Sequence, residues 1–189
     1  MGGKMKTITV LEFCCLLILV IILNGCLVYD TVEYRVNVNP DGKSGTIYIK
    51  YGNIESSAAE PSKQNEDFEE LLSKWKDDKY LLERMNDGVY IKKRELTLAH
   101  GVLVWQEFGI FSDVQKMKDG ISYDDTTHIT LGRDETVVST NGTVLIGKDS
   151  TVVVWPPHTR ELHIKIQQQD FKPTSHFANK FRDLKKKQM

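Results

Sequence analysis

The chain has 189 residues, of which 40% are hydrophobic and 27% charged, and a formal net charge of −1 at neutral pH. That length suits one ordinary domain with a sizeable core, and the near-neutral balance argues against a nucleic-acid partner. Three cysteines, two of them adjacent, are too few for a disulfide-framed scaffold.

The first element is a short positive segment carrying Lys4 and Lys6, followed by an unbroken apolar run over residues 13–23. Eleven residues fall short of the ~20 needed to cross a bilayer as a helix. They fit the roughly 7–15-residue apolar core of a secretory signal. The run ends in Leu23-Asn24-Gly25-Cys26, which resembles the lipobox of bacterial lipoproteins. The resemblance implies cleavage between Gly25 and Cys26, a diacylglycerol on the Cys26 sulfur and an acyl chain on its new amino group. The partner it implies is the membrane, reached through the lipid on Cys26. The location it implies is the cell envelope, at the outer membrane if the cell has two. The chemistry needs a thiol for the thioether and a small residue, Gly25, to enter the peptidase. Cleavage would remove two lysines and one glutamate, taking the formal charge to −2 and leaving 164 residues. Cys14 and Cys15 leave with the signal, so the remaining domain has no disulfide and no thiol chemistry.

Residues 26–30 then read as a lipidated start and tether, residues 31–171 as a single α+β domain, and residues 172–189 as a basic tail. Val32, Tyr34, Val36 and Val38 alternate with polar residues, as do Ile47, Ile49 and Tyr51, and Asn39-Pro40-Asp41-Gly42 between them is turn chemistry. This predicts a β-hairpin. Residues 56–65, with Pro61, read as a loop. Phe68, Leu71, Leu72, Trp75, Lys79 and Leu82 recur at helical spacing, with Asn65 as the expected cap and Asn86-Asp87-Gly88 as the stop. Asp77-Asp78 can divide that helix in two.

Strands are expected over residues 89–99 and 102–111 around His100-Gly101, while residues 112–125 lack a period. Asn141-Gly142 between Val-rich runs predicts a two-residue hairpin turn of type I′. The run from Thr151 to Trp155 reads as a central strand, and Leu162, Ile164 and Ile166 line one side of another. The fold class is therefore α+β: an N-terminal hairpin, one amphipathic helix or two short ones, then a mostly antiparallel sheet covered on one face by helix. In this layout, and in Asn141, Gly142 and Trp155, the chain resembles LppM-like envelope lipoproteins. The six bases of residues 172–189 face a single acid, Asp183, and read as a solvated end that frays, with an anionic lipid surface as the alternative.

Several patterns suggest chemistry without completing it. Asn37-x-Asn39-x-Asp41-Gly42 has the first half of a calcium loop, but Tyr48 stands where the closing Glu belongs. Ser73-x-x-Lys76, Ser139-Thr140-Asn141 and Lys43-Ser44-Gly45 match the motifs of serine acyl-enzymes in the wrong order. Asp124, Asp125 and His128, with His158 and His163, lack the spacing of a metal site, and His163 falls on the polar side of its strand. Lys92-Lys93-Arg94 reads as a charged sheet edge or, alternatively, as a docking patch for phosphate or acidic glycan. A further partner, whether an envelope protein, a glycan or a lipid, has no signal of its own. The three tryptophans read as core. No catalytic residue, metal or cofactor is expected. The sequence points to a non-catalytic binding or structural domain at the membrane, with an envelope hydrolase or a carrier of an apolar ligand as alternatives.

Overall fold

The computed structural model describes residues 27–118, 120–123 and 126–187. Strands β1 (Leu27–Val38) and β2 (Gly45–Ser56) form the expected hairpin, with Leu27 opposite Ser56 and Val38 opposite Gly45. At its turn Asp41 Oδ1 accepts the N–H groups of Lys43 and Ser44, at 2.8 and 3.0 Å, while Gly42 takes a φ of 71°. β1 starts earlier than the alternation suggested. Residues 27–30, expected as tether, are already sheet.

Helix α1 (Pro61–Lys76) begins four residues before the expected Asn65. Pro61 belongs to the first turn, where a missing N–H is no loss and a fixed φ helps, so it starts a helix instead of sitting in a loop. Asp77, extended at φ −88° and ψ 140°, divides α1 from α2 (Asp78–Asn86), as the Asp77-Asp78 pair suggested. The break resets the helical face. Leu82, expected inward, is 57% exposed, and Arg84 is buried in its place.

The remaining strands are β3 (Tyr90–Ala99), β4 (Val102–Phe111), β5 (Ser122–Tyr123), β6 (Thr127–Leu131), β7 (Glu135–Thr140), β8 (Thr143–Ile146), β9 (Thr151–Trp155) and β10 (Glu161–Gln168). They build a six-stranded sheet in the order β3-β4-β2-β1-β10-β7 and a four-stranded sheet in the order β5-β6-β9-β8. Every neighbouring pair is antiparallel.

The Asn141-Gly142 hairpin is not there. β7 pairs with β10 in the large sheet and β8 with β9 in the small one, so the dipeptide is where the chain changes sheets. Neither residue takes a positive φ. The left-handed pair lies instead at His100 (φ 51°) and Gly101 (φ 85°), which turn β3 into β4. Asn141 is needed for its amide: Oδ1 accepts the Trp155 indole N–H at 2.7 Å and the His163 N–H at 2.9 Å, and Nδ2 donates to the Glu161 carbonyl at 2.7 Å. Gly142 is needed for clearance, since a Cβ there would lie 2.8 Å from Val153 Cγ1 and 3.0 Å from Trp155 Cε2.

Cross-strand partners share a face, so Val36, Ile47, Ile49, Tyr51 and Trp105 lie on one side of the large sheet. Trp155 and Val153 of the small sheet bury against one part of this side. Phe68, Leu71 and Leu72 of α1 bury against another, around Leu103 and Trp105. The opposite side carries polar residues such as Glu33, Arg35, Lys50 and His163, the usual arrangement of a one-sided antiparallel sheet. His163 is indeed on the polar side, a third exposed and 3.3 Å from Glu33.

The basic tail is not a fraying end. Residues 177–187 form helix α3 (Phe177–Lys187), whose Phe177 and Phe181 are fully buried against Phe68 and Trp75, with ring centroids 5.1 and 5.7 Å apart. Buried Glu55 fixes its start, accepting the Phe177 N–H at 2.8 Å and the Ser175 hydroxyl at 2.6 Å. The three lysines of its last turn lie at the negative end of the helix dipole.

Candidate binding site

Where the helices meet the start of β1, the packing leaves a mainly apolar cavity of about 210 Å³ that opens to solvent. Residues 27–29 line it from β1 and Leu71 and Lys74 from α1, with Tyr51, Ile54, Tyr80 and Trp105 completing the wall. Asn53 makes this possible. Its φ of 55° interrupts the alternation of β2, so Ile54 is buried although it shares the parity of solvent-side Tyr48 and Lys50. Two edge-on aromatic pairs stiffen the lining: Tyr29 with Tyr51 at 5.0 Å and Tyr80 with Trp105 at 5.4 Å.

Beside the cavity lies a buried charged cluster. The Tyr80 hydroxyl is 3.0 Å from both carboxylate oxygens of Glu107, and Arg84 Nε lies 3.6 Å from Oε2. Arg84 Nε and Nη2 are buried without a hydrogen-bond partner, so the pair is coulombic rather than forked. Burial raises the Glu107 carboxyl above the usual range, and the charge of Arg84 pulls it only part of the way back. Burial, then the Glu107 charge, pushes Tyr51 up to about 12 and Tyr80 upward as well. Both phenols therefore stay protonated at neutral pH, and Tyr80 donates its hydroxyl to the Glu107 carboxylate.

The residues singled out from the sequence are dispersed. Gly25, Cys26, Asp124 and Asp125 lie outside the described residues. Lys92 sits at a bulge on β3, the outer strand of the large sheet, so the charged-edge reading fits the topology. The three bases do not converge: Lys93 pairs with Glu95 at 2.9 Å, and Arg94 turns to the other face, donating to the Lys74 and Asp77 carbonyls that end α1. Both carboxylate oxygens of Asp41 are taken up by its own turn, and the Tyr48 hydroxyl bonds Gln106. The Ser73 hydroxyl bonds Asp77 at the end of α1, while Ser44 and Ser139 belong to the β1–β2 turn and to β7. His128 Nδ1 faces the Thr126 carbonyl at 2.9 Å, and among the described residues no three His, Cys, Asp or Glu side chains gather as metal ligands. No described helix is long and apolar enough to cross a membrane.

The lining of the cavity is not legible in the sequence, because it comes from five separate elements and because residues 27–29 read as tether. The positions of Leu71 and Trp105 carried only a core signal. Comparison with protein-family models, with characterised proteins and with solved structures finds no match to this chain. The geometry of the chain itself therefore carries the functional argument.

Proposed function

We propose that this chain is a lipid-anchored protein of the bacterial cell envelope whose α+β domain is a non-catalytic binding module. Its ligand is an apolar group, the end of an acyl chain or a single ring, held in the cavity beside Leu27. The anchor reading rests on Leu23-Asn24-Gly25-Cys26 behind the apolar run of residues 13–23. The observation that carries the binding role is the cavity. At about 210 Å³ it is larger than an engineered apolar cavity of about 150 Å³ that takes up benzene. It is smaller than the ~300–1,000 Å³ of sites that enclose a drug-sized ligand. A carrier has to hide a whole lipid, so the size favours capture of one chain end over transport. A hydrolase needs an activated nucleophile, and the two phenols with shifted values are moved away from reactivity.

The test uses short brominated acyl chains, which quench nearby indoles. Trp105 lines the cavity whereas Trp155 lies in the other part of the core. Quenching should saturate, and Trp105→Phe should remove most of it. Quenching that rises linearly without saturation, or survives in Trp105→Phe, refutes the binding role. The anchor is checked separately by intact mass: acyl chains should be found on Cys26, and Cys26→Ser should lose both acylation and retention in the membrane.

A further inference from the structure

We infer that the domain rests on the bilayer through one defined end, and that Leu145 and Ile146 at the tip of β8 enter the lipid there. The inference rests on the proposed Cys26 anchor and is independent of the cavity. Its first support is the absence of slack. β1 is paired from Leu27 onward, so no residue separates the sheet from Cys26, and one Cα–Cα step of about 3.8 Å joins the two. A domain held that closely cannot stand off from the membrane, and its lowest surface must touch lipid.

The hydrogen bonds show which surface that is. The Gln169 N–H donates to the Asp134 carbonyl at 2.7 Å, and Asp134 faces residues 27–29 across a shallow cleft that also holds Phe171. The neighbouring Arg133 pairs with Asp149 at 3.0 Å, in the turn from β8 to β9. The chain start, the β6–β7 turn and the β8–β9 turn therefore share one end, and Ile146 stands beside it.

β8 is unusual for an outer strand. Its residues 143–146 read Thr-Val-Leu-Ile, and Val144, Leu145 and Ile146 are 39, 53 and 84% exposed. Edge strands facing water are normally blunted by charge, proline or a bulge. β3, one edge of the large sheet, has both lysines and a bulge. β8, an edge of the small sheet, has none of these devices, and the Arg133–Asp149 pair ties its turn to the end that holds the chain start. Around it Arg133, Lys148 and Lys172 are matched by Asp134, Asp149 and Asp170, so apolar contact rather than charge attraction carries the docking.

The lipidated mature chain has no free thiol, which permits a single-site label. Ile146→Cys, and Lys43→Cys in the β1–β2 turn at the opposite end, are labelled with an environment-sensitive fluorophore. The full lipidated proteins are then placed in phosphatidylethanolamine–phosphatidylglycerol vesicles containing nitroxide-labelled lipid. The label at 146 should shift to the blue and be quenched several-fold more than that at 43. The difference should persist in about 1 M salt, where the screening length is about 3 Å. A label at 146 that behaves like the one at 43 leaves the tip in water and overturns the inference. A blue-shifted but unquenched label means that protein, such as a second copy paired at β8, covers the strand, and overturns it equally. Labelling of the unsubstituted protein would expose a free Cys26, in which case the anchor itself fails.

Discussion

Asn141→Ala should cut the link between the two sheets. The amide serves the Trp155 indole N–H, the His163 N–H and the Glu161 carbonyl, at 2.7 to 2.9 Å. Trp155 is fully buried, so its N–H would lose its acceptor with no water to replace it. A buried donor left unsatisfied costs about 1–3 kcal/mol. The two half-exposed backbone groups regain water and add about 0.5–1 kcal/mol together. The expected loss is thus about 2–4 kcal/mol, or roughly 4–16 °C in Tm for a domain of this size. Urea unfolding of the domain from Leu27 onward, followed by far-ultraviolet circular dichroism, gives the value with an unchanged m. Trp155→Phe removes the indole N–H, so a double-mutant cycle should return a coupling of about 1–2 kcal/mol between the two sites. Asn141→Gly separates this role from that of a type I′ turn, which would tolerate it; here it should cost as much as Ala. A loss under about 0.5 kcal/mol, or zero coupling, would refute the clamp.

Two further outcomes test other parts of the fold. Burial alone would raise Glu33, but its hydrogen bond to Arg35, the Arg35 charge and His163 hold it below the ordinary range, so its stabilisation is present above about pH 4.3 and fades as pH falls through the lowered value; Arg35→Ala should move the Glu33 carboxyl upward in a carbon-13 titration, and an unmoved value counts against the pairing. Glu55→Ala should release the start of α3 at a cost of about 1–3 kcal/mol and speed amide exchange over residues 177–187; unchanged exchange there would show that the two buried phenylalanines hold the helix alone.

Local chemistry was readable where local chemistry decides. The β1–β2 hairpin, the break at Asp77 and the alternation of β10 each depend on neighbours in sequence, and each appears in the structure. Asn141-Gly142 failed because a dipeptide reports its own backbone preferences but not which sheet receives the next strand. Here contact with Trp155, fourteen residues on, outweighed turn propensity. Helix α3 was hidden by its lysines, although Phe177, Phe181 and Leu184 already stand at helical spacing. Pro61 among residues without a period reads as loop, but its meaning depends on whether a helix follows or precedes it. The cavity had no motif at all, because it is a gap in packing between distant elements.

The early start of β1 links the fold to the proposed role more closely than any side-chain motif. Had residues 27–30 been a flexible tether, an anchor at Cys26 would say nothing of orientation, and any face of the domain could meet the membrane. Paired as they are with β2, they would make the hairpin axis a direction relative to the bilayer if the proposed anchor at Cys26 holds. One end of that axis gathers the chain start, a wall of the apolar cavity and an uncharged sheet edge. The other end is the hydrophilic turn organised by Asp41, with Asn39, Pro40 and Lys43 exposed. With the proposed anchor at Cys26, a domain polarised in this way would have its cavity next to a source of acyl chains, and a chain end would reach the cavity beside Leu27 with little of its length passing through water.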